Sequence, residues 1–173
     1  MRITHRLLIW FALLALAGML AYGSSQQPGA KSKPAAPAPP PAGWKTVTND
    51  TRTCKLSLPP KWTESPPGSG MFSGPQGTEM VMFIEDEETA KAGNWDPVRK
   101  EIERKKATGV KVEILEDTPA SIIFQAPQGS VLAVMSFRRS PKTLCALQIG
   151  VPAGDPAQQK VAKQIAQSLA PMP

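Results

Sequence analysis

The chain has 173 residues, with 20 basic and 14 acidic side chains, a formal net charge of +6 and 41% hydrophobic residues. That composition suits one globular domain with appendages. The only histidine is His5 and the only tyrosine is Tyr22, so whatever folds downstream of them lacks Ser-His-Asp or Cys-His hydrolysis and histidine metal sites.

Residues 1–23 read as a targeting segment. Arg2, His5 and Arg6 form a basic start, Leu7 to Tyr22 is an uncharged, mostly apolar run, and Ala21-Tyr22-Gly23 fits a small-x-small cleavage site. The apolar run is shorter than the ~20 residues that comfortably span a bilayer, which favours a cleaved signal peptide over a retained signal anchor. Membrane contact is expected only through residues 7–22, and only if they are retained. No cysteine sits at the end of the run, so a bacterial lipoprotein anchor is not expected. Residues 24–43 hold Pro28, Pro34, Pro37, Pro39, Pro40 and Pro41 among Ala, Ser, Gln and Gly. Such a Pro/Ala-rich linker has nothing to bury and is expected to be disordered and extended, reaching on the order of 60 Å at ~3.1 Å per residue. A spacer makes most sense if its start is tethered, so both readings of the first segment stay open.

The expected single globular α+β domain is 44–173. Without Arg2, Arg6, Lys31 and Lys33 it has 16 basic against 14 acidic residues, a near balance that gives no electrostatic case for nucleic acid. Trp44 to Thr48 is a short strand, Asn49-Asp50-Thr51 a turn, and Arg52 to Leu58 a second strand, making a hairpin. In Cys54-Lys55-Leu56-Ser57-Leu58 the apolar residues alternate with polar ones, as on a half-buried strand. Pro59-Pro60 ends it. Trp62 is expected to fold back over the sheet edge as a packing residue; the competing reading is a partner-binding tryptophan. Gly70 to Ser73 is a brief strand, Gly74-Pro75-Gln76-Gly77 a turn, and Thr78 to Glu85 a strand apolar on both faces, hence central. Glu85-Asp86-Glu87-Glu88 is read as a solvated loop; it lacks the spacing of a calcium loop, though carboxylates suit a hard cation.

A helix starts near Asn94-Trp95-Asp96-Pro97, with Asp96 as cap and Pro97 in the first turn. Trp95, Val98 and Ile102 share its apolar face, and Thr108-Gly109 ends it. Its Arg104-Lys105-Lys106 run is a solvated end that complements the helix dipole or, alternatively, a patch for an acidic or lipid partner. Strands follow at Val110 to Glu116 (Val110, Val112 and Ile114 inward), Ala120 to Ala126, Val131 to Arg139 and Thr143 to Val151, separated by short turns that imply antiparallel pairing. Asp155-Pro156 opens the last helix, with Val161, Ala162, Ile165, Ala166 and Leu169 buried and Pro171 as its stop.

Two cysteines in an exported domain point to one disulfide. If the first long strand and the last strand are neighbours, Cys54 and Cys145 can form a cross-strand bond closing a loop of about 90 residues, worth roughly 4–5 kcal/mol as an upper figure. Two buried thiols are the alternative; a redox or metal pair has no Cys-x-x-Cys to support it. No Gly-x-Gly-x-x-Gly and no phosphate loop occurs, so no cofactor is expected. No catalytic, cofactor or metal residue stands out.

The order of several strands, one helix, four strands and one helix is that of an α+β domain, an antiparallel sheet of about six to seven strands flanked by helices. With Cys-Lys-Leu-Ser-Leu-Pro-Pro-Lys-Trp (54–62), its Pro59-Pro60-Lys61-Trp62 corner, and the closing Ile165-Ala166-Gln167-Ser168-Leu169, the chain resembles PsbP-like domains, the Mog-type fold, over about 44–170. The resemblance implies an α/β/α sandwich and a non-enzymatic assembly or accessory role. The metal-binding histidines of photosynthetic members have no histidine counterpart here, so no functional residue carries over.

The function expected is that of a non-enzymatic extracytoplasmic binding or accessory domain, periplasmic or secreted, with a protein or envelope component as partner. Trp62, Arg104, Lys105 and Lys106 are the candidate partner surface. One alternative is a small-ligand or lipid-binding module with Met71, Met80, Met82 and Met135 as soft pocket liners. Another is a carboxylate-dependent enzyme relying on Glu85 or Glu101.

Overall fold

A computed structural model describes residues 39–75 and 80–172. The targeting segment 1–23, most of the linker 24–43 and part of the expected 74–77 turn lie outside the described residues. In chain order the elements are β1 (Lys45–Thr48), β2 (Cys54–Leu58), β3 (Thr63–Glu64), β4 (Met71–Ser73), β5 (Met80–Ile84), α1 (Glu87–Ala92), α2 (Asp96–Ala107), β6 (Glu113–Thr118), β7 (Ser121–Gln128), β8 (Val131–Arg139), β9 (Leu144–Pro152), α3 (Pro156–Ser168) and β10 (Ala170–Pro171). They form an antiparallel seven-stranded sheet, β3-β4-β5-β9-β8-β7-β6, and a three-stranded sheet, β1-β2-β10.

The large sheet is covered on both faces, so the fold is an α/β/α sandwich with a small sheet added to one layer. On one face Val81, Ile123, Val134, Leu147, Ile149 and Val151 pack against Ala162, Ile165, Ala166 and Leu169 of the last helical segment and against Leu56 and Leu58 of β2. On the other face Ile122, Phe124, Phe137 and Ala146 pack against Trp95, Val98 and Ile102. The period of two in the strands and the 3.6 period in α2 and α3 thus meet across two dry layers. Asp155 caps α3 as expected, accepting from the Ala157 and Gln158 amides at 3.0 and 3.1 Å. Asp155 alanine substitution is expected to cost about 1 kcal/mol, readable as a lower urea midpoint.

Several expectations need correction. Trp62 is 3% exposed and sits in the core with Leu58 and Phe72, which is the packing role expected of it; what needs correction is its competing place in the candidate partner surface. The acidic run is no plain loop: Asp86 caps α1, accepting from the Thr89 amide and hydroxyl, both at 2.8 Å. Six residues are too few to show a helical period, and the reading as a loop missed them. The cap of α2 is Trp95 rather than Asp96, and its side chain makes no capping hydrogen bond; the indole N–H donates to the Pro119 carbonyl at 3.1 Å. The Asn94 side chain instead accepts from the Asp96 amide at 2.9 Å, supplying the acceptor one residue early.

β6 starts at Glu113, and Ile114 is 44% exposed rather than inward. The register with β7 shifts between Ile114 and Glu116. Ile114 lies opposite Phe124 on the α2 face but is exposed on an edge strand, while Leu115, at the bulge, packs on the other face against the main core. Pro171 does not merely follow the helix: Ala170 and Pro171 pair with Lys55 and Cys54. A residue without an N–H is tolerated there because β10 is a sheet edge.

One charged group is carried into the face under α3. The Arg138 side chain is 8% exposed and donates to Glu116 Oε2 at 3.2 Å and to the Gln167 carbonyl at 3.4 Å. Beside it Ser136 donates to the Ala166 carbonyl at 2.9 Å. The two side chains satisfy carbonyls at the end of α3 that the helix itself leaves open. Glu116→Gln leaves the Arg138 charge buried without its counter-ion and is expected to cost about 2–3 kcal/mol, toward the low end because Glu116 is partly solvated. Arg138→Met removes the charge with its burial penalty and is expected to cost less. Chemical denaturation of the two variants orders them.

Candidate functional site

Asn49 builds the turn between β1 and β2. Its Oδ1 accepts from the Thr53 and Cys54 amides at 3.0 and 2.9 Å, and its Nδ2 donates to the Thr51 and Thr53 hydroxyls at 2.8 and 3.0 Å. Arg52 in this turn has φ 53°, the left-handed region. A non-glycine residue there is held by its surroundings, here by the Arg52 amide donating to the Asn49 carbonyl at 2.9 Å and the asparagine side chain beside it. Directly behind the turn, Cys54 and Cys145 are bonded, S–S 2.04 Å, Cα–Cα 5.7 Å. The disulfide expected from sequence is present, but its route is corrected. β2 and β9 lie in different sheets, so the bond ties the small sheet to the large one instead of crossing neighbouring strands.

In front of the disulfide lies a cleft of about 380 Å³. One wall is the Asn49–Thr53 turn, the floor is Phe83, Ile84, Leu144 and Ala146, and the far wall is Glu85, Asp86, Glu87 and Ala90. Gly70 closes one side with φ 67°, a backbone that favours glycine; its amide donates to Glu64 Oε1 at 2.9 Å, and the Phe83 amide donates to its carbonyl at 3.3 Å. The rim is acidic. Asp86 is committed to capping and Glu87 pairs with Lys91 at 2.7 Å. Asp50 and Glu85 have no ion pair among the described residues. The acidic run therefore has a place in a site, as one wall of a cleft. Among the described residues no group of three or more His, Cys, Asp or Glu side chains is placed to hold a metal ion.

The other sequence-derived residues lie elsewhere. Arg104, Lys105 and Lys106 do not line the cleft. On α2 they pair with their own helix: Arg104 with Glu101 at 2.7 Å, Lys105 with Glu101 at 3.5 Å and Lys106 with Glu103 at 2.8 Å. Their charge is largely matched before any partner arrives. The hydrogen bond from Arg104 holds the Glu101 carboxyl below its ordinary 4.5, burial opposing it and the charges of Arg104 and Lys105 adding to it. For a carboxyl lowered in this way, the stabilisation is present above its unfolded pKa and is lost as pH falls through the lowered folded one. The Glu101 carboxyl is expected to titrate below 4.5 by carbon-13 NMR and to move back up in Arg104→Gln. Met71, Met82 and Met135 line none of the cleft either. What sequence reasoning missed was the Asn49–Thr53 turn as a wall: its Asn and Asp were read as turn formers only.

No family model matches the chain, and no curated protein matches it. Among solved structures, the chain is similar to the solution structure of cyanobacterial PsbP (CyanoP) from Synechocystis sp. PCC 6803, with a TM-score of 0.49 and 10% identity over 87% of this chain and 98% of that one. It is also similar to a crystal structure from Bacteroides thetaiotaomicron VPI-5482, with a TM-score of 0.46 and 14% identity over 76% of this chain and 49% of that one, about half its length. Both likenesses are weak, in TM-score and in identity alike.

Proposed function

We propose that this chain is a non-enzymatic extracytoplasmic accessory domain that holds a protein or envelope partner at the cleft beside the Cys54–Cys145 bond. The carrying observation is the cleft itself: an acidic rim with Asp50 and Glu85 unmatched, over an apolar floor that includes Phe83 and Ile84. Such a surface suits a partner segment that brings a lysine or arginine next to an apolar side chain. The disulfide supports an oxidising compartment, since such bonds persist outside the cytoplasm. The wall is pinned by that bond and by Asn49, which lowers the ordering cost of binding.

The test is site-specific photo-crosslinking in an envelope extract, from positions 50 and 85 and, as a control, from the exposed Lys160 on α3. A defined adduct from both cleft positions, absent at 160 and reduced at least tenfold by charge reversal of the other rim residue, supports the reading. No adduct, or the same adduct from Lys160, overturns it.

A further inference from the structure

The sheet face that carries α2 also carries a row of sulfur. Met71 pairs directly with Met82, Met82 with Gln148, and Gln148 with Met135. Directly opposed residues in a sheet share a face, so three thioethers and one carboxamide form a single line across β4, β5, β9 and β8. The opposite-face neighbours of this line, Phe72, Val81, Leu147 and Ile149, are buried in the main core. The line itself is not: Met71, Met82, Gln148 and Met135 are all partly exposed. Met135 touches the α2 cluster at its edge, while Met71 and Met82 belong to neither core cluster. Ordinary core methionines would be covered; these are reachable.

We propose that this row is a binding site for a soft monovalent metal ion, Cu(I) in chemical class, with Met82 as the shared ligand and Met71 and Met135 flanking it. Thioethers are soft donors that select Cu(I) over hard cations. Neighbouring strands lie about 4.8 Å apart, so Met71 and Met82 are adjacent, and Met82 and Met135 face each other across Gln148 at about twice that spacing. The three rotatable bonds of methionine let each sulfur lean toward a common ion, and Gln148, at the register position between Met82 and Met135, has an amide oxygen that can serve as a further donor. No better soft donor competes: both cysteines are bonded to each other, and the only histidine is His5. The site uses other residues than the cleft and stands or falls separately from it.

The experiment uses the full chain with methionines carbon-13 labelled at the methyl group, titrated with silver nitrate in chloride-free buffer. Ag(I) is a redox-silent soft stand-in that needs no reductant and so spares the disulfide. The expected result is that the methyl signals of Met71, Met82 and Met135 move together and saturate at one equivalent, while that of Met172 stays still. Met82→Leu, nearly volume-conserving and expected to leave the fold intact, then weakens Cu(I) binding at least tenfold in competition with bicinchoninate under ascorbate. Methyl signals that do not move, a Met172 signal that moves in parallel, or unchanged Cu(I) affinity in Met82→Leu overturns the site.

Discussion

Replacing Cys54 and Cys145 together by alanine is expected to lower the stability of the domain by roughly 4 kcal/mol, because the bond closes a long loop. The two cysteines are 91 residues apart, and chain entropy values such a cross-link at roughly 4–5 kcal/mol in the unfolded state. Domains of this size hold about 5–15 kcal/mol in total, so the loss takes a large share. The bond also joins the only two sheets described, between a strand of the small sheet and one near the middle of the large one. Without it, the hold of the small sheet rests on Leu56 and Leu58 in the core, the Ser57 amide donating to Ser168 Oγ at 2.9 Å, and the two-residue β10. With a urea m-value of about 2 kcal/mol per molar, the midpoint is expected to fall by roughly 2 M. Equilibrium unfolding of the oxidised protein and the double variant checks this. A midpoint shift under ~0.5 M would mean that the bond adds little beyond its packing.

Trp62→Ala is expected to cost about 3–5 kcal/mol, the range for emptying a large aromatic site in a core. The indole is buried among residues from β2, β4 and the large sheet, and its carbonyl accepts from the Lys45 ammonium, fastening β1 to the same corner. Trp62→Phe keeps much of the volume and is expected to cost far less. Because the side chain has no surface to offer, partner capture by Trp62→Phe should match that of the parent. Thermal and urea unfolding of both variants, with the cross-linking readout repeated on Trp62→Phe, tests the two halves together. A stable Trp62→Ala protein that loses its partner would restore the tryptophan as a binding residue. Cys54 and Trp62 lie in one cluster, so these two losses are not expected to add.

The sequence by itself determined most of the elements. Alternation in Cys54–Leu58, the continuous apolar start of Val131–Arg139, the two-faced pattern of Leu144–Pro152 and the helical stripe of α3 are local patterns, each set by which faces of one element must be dry. Turn and cap residues such as Asp155, Gly109 and Ser140-Pro141 marked their ends by backbone chemistry that acts within a few residues. The α+β class and the antiparallel sheet follow from that order; the disulfide is the expectation for two cysteines in an exported domain.

Tertiary structure alone decided what depends on distant neighbours. The sheet to which β2 belongs could not be read from its own pattern, since a strand with one dry face looks the same in either sheet; the disulfide was therefore legible as a bond but not as an inter-sheet tie. The exposure of Ile114 follows from the place of β6 at the sheet edge, and the bulge after it is a register choice against β7. The burial of Trp62 depends on what packs over the Pro59-Pro60 corner. The cleft exists only because the Asn49 turn and the cap of α1, 36 residues apart by their Asn49 and Glu85 edges, are brought to one end of the large sheet. The methionine row is likewise a product of register: Met71, Met82 and Met135 read from sequence only as soft pocket liners, and they become one line only when β9 is inserted between β5 and β8. Local patterns settle which residues are dry; only the pairing of strands far apart in the chain settles which of them meet.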